Sequence, residues 1–179
     1  MKSLTRCLLL LLLFAFSACR KDDPEPDPAF VAGDLLVGFK PDAPIEQVFA
    51  LANAHGFSLN TLTGFDYTSA LPNDSLAYIN KVLKTKLYLK QQGSTGRARL
   101  SAADGRLELV NGFFDMDLAS QQDWLATIQQ LQLIAKTDGL PYVFLHVPVG
   151  EEKFWQAELQ KNALVRYAEL NAIVTLDHH

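Results

Sequence analysis

The chain has 179 residues, of which 49% are hydrophobic and 20% charged, and its net charge is −4. That is enough for one globular domain, short for two, and too apolar for a disordered or collagen-like chain. The acidic balance excludes nucleic acid as the default partner, and the apolar stretch at the N-terminus falls short of the roughly 20 residues that span a bilayer.

Met1–Arg6 carries Lys2 and Arg6, and Cys7–Phe16 follows with six successive leucines, Leu8 to Leu13. A basic start, a short apolar run and small residues at a cut site predict a secretory signal over 1–18. Phe16-Ser17-Ala18-Cys19 resembles a bacterial lipobox, with Phe16 where Leu is usual. The resemblance implies cleavage before Cys19 and lipid modification of its thiol. Cys7 then leaves with the signal, so no disulfide forms within the mature chain. Each acyl CH₂ buried in a membrane contributes about 0.8 kcal/mol to anchoring. Lys21, Asp22 and Asp23 follow directly and resemble the surface-export signal of Bacteroidetes lipoproteins. The expectation is an outer-membrane lipoprotein directed to the cell surface. Residues 19–29 contain Pro24-Glu25-Pro26-Asp27-Pro28, whose alternating prolines and acids predict an extended, solvated tether.

The folded part is expected over 30–179. Asp34–Lys40 alternates, with Leu35, Val37 and Phe39 on one side, and predicts a strand. Asp42 is read as the cap of a helix with Pro44 in its first turn. That helix carries Ile45, Val48, Phe49 and Ala52 on one face, and Gly56 ends it. Phe57–Tyr67 predicts a second strand.

An insert follows, about residues 68–140. Leu87–Lys90, Arg97–Ser101 and Arg106–Phe113 read as strands, with a turn at Ala103-Asp104-Gly105. Ser120 and Asp123 resemble a capping box. The helix after it would present Trp124, Ile128, Leu131 and Ala135 and end at Gly139 and Pro141. A small antiparallel sheet and one helix are expected. Between Lys81 and Arg106 seven bases (Lys81, Lys84, Lys86, Lys90, Arg97, Arg99 and Arg106) stand against one acid, Asp104. They read either as a patch for an acidic partner, a glycan or a membrane surface, or as a solvated hairpin whose charges discourage edge pairing. The second is the expectation.

Tyr142–Val147 predicts a strand, Glu151–Asn162 a helix with acids in its first turn, and Leu164–Leu176 a final strand. Strand, helix and strand at each end give the order of an α+β, ferredoxin-like βαββαβ sandwich, with the insert between its second and third strands. Tyr142–Val147 is large on both faces, with Val143, Leu145 and Val147 on one and Tyr142, Phe144 and His146 on the other. Both faces of such a strand call for cover. The helices supply one cover, and the insert is expected to fold over the other.

Gly33-Asp34-Leu35-Leu36-Val37-Gly38-Phe39-Lys40-Pro41 resembles the opening of the propeptide domain of subtilisin-like serine proteases. Val165-Arg166-Tyr167-Ala168-Glu169-Leu170-Asn171 is similar to its closing strand, with Leu170 where the family has Pro, and Val147–Glu152 is similar to its strand-to-helix turn. The resembling segments, Gly33–Leu59 and Tyr142–Leu176, cover roughly a third of the chain. The family continues into a catalytic domain where this chain reaches His179, so a stand-alone propeptide-like domain is expected. In that family the open sheet face docks on the protease and the C-terminal tail lies in its cleft. The resemblance therefore implies a subtilisin-like serine protease as partner, bound in trans by an inhibitor or folding chaperone. Its candidate contacts are Tyr142, Phe144, His146, Glu169, Asn171 and the tail Leu176, Asp177, His178 and His179. The alternative is an envelope adhesin or ligand-binding lipoprotein that uses the insert.

The sequence offers no His-x-x-x-His pair, no Gly-x-Ser-x-Gly elbow and no phosphate-cradling glycine loop. Neither enzyme activity, a metal nor a cofactor is expected.

Overall fold

The computed structural model describes residues 29–91, 94–110 and 112–173. The expected signal, Cys19, Lys21, Asp22 and Asp23, and the tail residues Leu176, Asp177, His178 and His179 lie outside the described residues.

β1 spans Phe30–Phe39. It begins earlier than the alternation predicts, because Phe30 pairs with Ala172 across an irregular stretch before Leu35. Gly33 takes φ 80° in that stretch, and a Cβ there would meet the His146 ring at 2.7 Å. Helix α1, Ile45–His55, buries Ile45, Val48, Phe49 and Ala52, and Gly56 closes it at φ 69°. Its N-cap is Pro44, with no side-chain bond, rather than Asp42. The residue before a proline is held out of the helical region, so Ala43 cannot begin the helix and Asp42 stays in the preceding turn.

β2 is Ser58–Thr63 and β3 is Tyr67–Ser69. The single strand expected over 57–67 is broken at Gly64, φ 80°, where a Cβ would lie 2.8 Å from the Leu140 carbonyl oxygen. The two pieces enter different sheets.

The insert holds more helix than expected. Helix α2, Leu76–Leu83, carries Leu76, Ile79 and Leu83 at i, i+3 and i+7, a spacing that marks it in the sequence. A 3₁₀ turn at Leu87–Leu89 stands where a strand was expected. β4 (Lys90–Gln91) and β5 (Ser94–Thr95) pair as a short ladder. β6 (Arg97–Leu100), β7 (Leu107–Val110) and β8 (Phe113–Phe114) follow. Helix α3, Leu118–Gln130, is capped by Asp117, whose Oδ1 accepts the Ser120 N–H at 2.7 Å. Ser120 is thus a capped residue and not the cap. Asp123 instead accepts from Lys86 Nζ (2.8 Å) and the Tyr88 hydroxyl (2.6 Å). The helix ends well before Gly139 because Gln132, φ 49°, turns the chain into β9, Leu133–Ala135. Ala135 therefore lies in a strand and not on the Trp124 face.

β10 (Tyr142–His146), helix α4 (Glu152–Leu159) and β11 (Val165–Ala172) complete the chain. The architecture is mixed α+β, with four helices among the described residues. One antiparallel sheet has the order β11-β1-β10-β2-β8 and a second the order β6-β7-β3-β9.

The first sheet turns Leu35, Val37, Leu59, Leu62, Val143, Leu145 and Ala168 inward, all at most 2% exposed. They share one hydrophobic cluster with the inner residues of α1, and α4 packs on β1 and β11. The insert joins the same cluster. Trp124 is fully buried against Phe113 (ring centroids 4.8 Å), Tyr67 (5.5 Å) and Tyr88 (6.2 Å). A hydrogen bond donated by Asn53 Nδ2 to Gln121 Oε1, 2.8 Å, ties α1 to α3. Burial of the Tyr67 and Tyr88 phenols raises both above the ordinary tyrosine range.

Side-chain amides occupy backbone groups of two outer strands. Asn80 donates to the Ala98 carbonyl (3.2 Å) and accepts the Ala98 N–H (2.9 Å), which satisfies both backbone groups of Ala98 in the edge strand β6. Gln156 and Gln160 both donate to the Ala168 carbonyl of β11 (3.1 and 2.9 Å). Occupied edge groups cannot template a further strand.

Candidate functional site

The register of the first sheet assembles its second face in three rows. Tyr167, Gly38, Tyr142 and Thr63 lie across one row, and Glu169, Leu36, Phe144, Thr61 and Phe114 across the next. Asp34, His146 and Ser58 form the third. Side chains that alternate inward on these strands are buried. On this face Leu36, Thr61, Thr63, Phe114, Tyr142, Phe144 and Tyr167 are half-buried, while His146 and Glu169 are exposed.

The expectation that the insert covers this face is therefore corrected. Phe113, the inward neighbour of Phe114, packs against Trp124 and Tyr88, so the insert's core contacts form on the helical side of the sheet. To the open face the insert adds β8, and with it Phe114, at the sheet edge. Burial of Phe113 against Trp124 and Tyr88 decides the side.

Local geometry shapes the face. Gly38 leaves room for the Tyr167 ring to lie on the sheet, because a Cβ there would come within 2.1 Å of Tyr167 Cε1. Tyr142 and Phe144 meet edge to face, with centroids 6.1 Å apart. Arg166 places its guanidinium 5.0 Å from the Tyr167 centroid, a cation–π distance. The result is an aromatic stripe with a polar end.

At that end His146 Nδ1 lies 2.8 Å from Asp34 Oδ1, and Asn171 Nδ2 donates to Asp34 Oδ2 at 3.4 Å. The imidazole leans over Gly33, on the flank of β10 away from Ser58. Asp34, His146 and Ser58 thus share a row without forming a proton relay. Behind them Glu152, 4% exposed, accepts the Gly33 N–H with Oε1 (2.7 Å) and the Gly150 N–H with Oε2 (2.9 Å). These bonds, with its own N–H, hold its carboxyl below the ordinary 4.5. The clamp joins the start of β1 to the N-terminus of α4 and sets the polar end of the face.

Of the expected contacts, Tyr142, Phe144, His146, Glu169 and Asn171 thus fall on one surface. Leu36, Tyr167, Phe114, Thr61 and Thr63 belong to it as well and were not singled out. Leu36 and Tyr167 were within reach, because Leu36 alternates with the inward Leu35 and Val37, and Tyr167 shares the period-two side of Glu169 and Asn171. Phe114 was not, since its strand pairing is non-local. A cleft of about 240 Å³ lies elsewhere, between the N-terminus of α1 and the insert, lined by Asp42, Glu46, Tyr67, Ile128 and Lys136 among others.

Among the described residues no group of three or more His, Cys, Asp or Glu side chains is placed to hold a metal ion. No described helix is long and apolar enough to cross a membrane. Comparison of the chain with protein-family models, curated proteins and solved structures finds no match in any of the three.

Proposed function

We propose that the chain is a surface-directed outer-membrane lipoprotein, anchored through Cys19, whose folded part is a ferredoxin-like βαββαβ sandwich of the subtilisin-propeptide type. It binds a subtilisin-like serine protease in trans, as inhibitor or folding chaperone, with no chemistry of its own. The strand order supports the fold assignment. With β1, β2, β10 and β11 taken as strands one to four, the order is four, one, three, two, with one helix between the strands of each half.

The observation that carries the functional reading is the open aromatic face. Leu36, Tyr142, Phe144 and Tyr167 form a contiguous half-buried surface. Aromatic anchors ringed by polar groups are what a protein partner desolvates most profitably. Glu169, Asn171, Asp34 and His146 supply that polar rim.

The test is titration of the chain against a panel of subtilisin-like proteases, alongside Phe144→Asp and a variant lacking Leu176–His179. Inhibition, or faster refolding of the protease, is expected. Phe144→Asp should weaken it by roughly 30-fold or more, the scale of a central interface anchor, with the circular dichroism spectrum of the folded chain retained. Loss of the tail should turn an inhibitor into a substrate or a weaker binder. An intact chain that neither inhibits nor assists any protease of the panel would overturn the reading in favour of an adhesin or ligand-binding lipoprotein that uses the insert.

A further inference from the structure

We infer that the basic side of the insert rests on an anionic lipid surface, as the second contact of a protein already tethered to a membrane. The location rests on the lipid-anchor reading of Cys19. The surface itself does not, because it is built from folded residues.

Between Ser75 and Ala103 this acidic chain has no Asp or Glu and six bases, Lys81, Lys84, Lys86, Lys90, Arg97 and Arg99. The fold gathers four of them. The two Asn80–Ala98 bonds lock α2 to the edge of β6. Lys81 follows Asn80, Lys84 lies one helical turn beyond it, and Arg97 and Arg99 flank Ala98 on the outward side of β6. Lys81, Lys84, Lys90, Arg97 and Arg99 are exposed. Of the six, among the described residues, only Lys86 has an ion-pair partner, Asp123 at 2.8 Å.

Edge protection does not account for these charges, since the Asn80 amide already occupies the Ala98 N–H and carbonyl. A soluble polyanion does not account for the exposed apolar side chains that the same stretch of sequence carries. Tyr78, Leu87 and Leu100 are 46%, 75% and 47% exposed within the same stretch. Bases that reach anionic headgroups beside apolar side chains that enter the interface are the composition of a membrane-surface contact. A short tether raises the effective concentration of such a contact to about the millimolar range, so weak intrinsic affinity suffices. Docking in this way would give the tethered domain a preferred orientation on the membrane.

The experiment uses the unacylated chain Arg20–His179, which contains every described element and the whole continuous core. It is sedimented with vesicles of phosphatidylcholine alone or mixed with phosphatidylglycerol, at low and high salt, and separately titrated with a sulfated polysaccharide. Binding is expected to the phosphatidylglycerol vesicles only and to fall with salt. Arg97→Ala/Arg99→Ala and Lys81→Ala/Lys84→Ala should each weaken it, by about fivefold per charge removed. Leu100→Ser should weaken vesicle binding as well, with circular dichroism unchanged in all three. Absence of phosphatidylglycerol-dependent binding overturns the inference. So does polysaccharide binding stronger than vesicle binding and indifferent to Leu100→Ser, which would assign the patch to a polyanion. Failure of the anchor reading shows separately, as an unacylated Cys19 in the mass of the cell-derived protein, and leaves the vesicle result standing.

Discussion

Trp124→Ala tests whether the insert and the sheet it interrupts are one cooperative unit. The indole is fully buried, within 4.8–6.2 Å of the Phe113, Tyr88 and Tyr67 rings, and its Nε1–H donates to the Tyr67 hydroxyl at 3.4 Å. Truncating a buried Trp to Ala costs about 3–5 kcal/mol, from lost transfer energy and the cavity left behind. Here the Tyr67 hydroxyl also loses its donor. Against a total stability of about 5–15 kcal/mol for a domain, that is a large fraction. At about 2–4 °C per kcal/mol for a chain of this size, the melting temperature should fall by roughly 6–20 °C. Trp155, the other tryptophan, supplies the assay. It lies on α4 against Phe57 (4.8 Å) and His55 (5.0 Å), a separate aromatic cluster from that of Trp124. In the variant its fluorescence reports the first sheet and its helices alone. If the core is continuous, the Trp155 transition and the far-ultraviolet transition move down together in one step. A Trp155 transition left at the wild-type temperature, with only part of the ellipticity lost early, would refute the reasoning and make the insert an independent domain.

Two further outcomes follow from the polar contacts. Glu152 has a folded-state pKa below its unfolded value, so its contribution is fully present above about pH 4.5 and is lost as pH falls through the folded value. Glu152→Gln should therefore be less stable at neutral pH, with a gap to the parent that closes in acid. A gap of constant size in urea titrations across that range would refute the charge-based account. Asn80→Ala removes both bonds to Ala98 and should cost about 1–3 kcal/mol. It also frees the β6 edge, so concentration-dependent self-association in light scattering is expected, and a strictly monomeric variant would show that the amide does not guard the edge.

How much of this was legible in the sequence depended on the range of the forces involved. Helix α1 was readable because the Ile45, Val48, Phe49 and Ala52 spacing and the Gly56 stop are local. Its start was misplaced because Asp42 has the chemistry of a cap, while Pro44 denies it the geometry. Likewise Ser120 and Asp123 have the spacing of a capping box, yet Asp117 reaches the Ser120 N–H first and Asp123 turns to Lys86 and Tyr88. Helix α2 had its spacing in plain view, in a stretch whose leucines and aromatics also suit strands. The break at Gly64 was hidden, because it depends on the close approach of Leu140, 76 positions away.

By itself the sequence determined that Tyr142–His146 is apolar on both faces, that strand–helix–strand units stand at both ends of the folded part, and that the bases cluster between Lys81 and Arg106. Alternation and composition are properties of neighbouring residues, and they survive translation into any fold. Only the tertiary structure decided which face of the sheet stays open and which bases share a surface. The first follows from Phe113 and Trp124 packing on the helical side, the second from Asn80 joining α2 to β6. Each depends on contacts between segments whose separation along the chain carries no signal of where they meet.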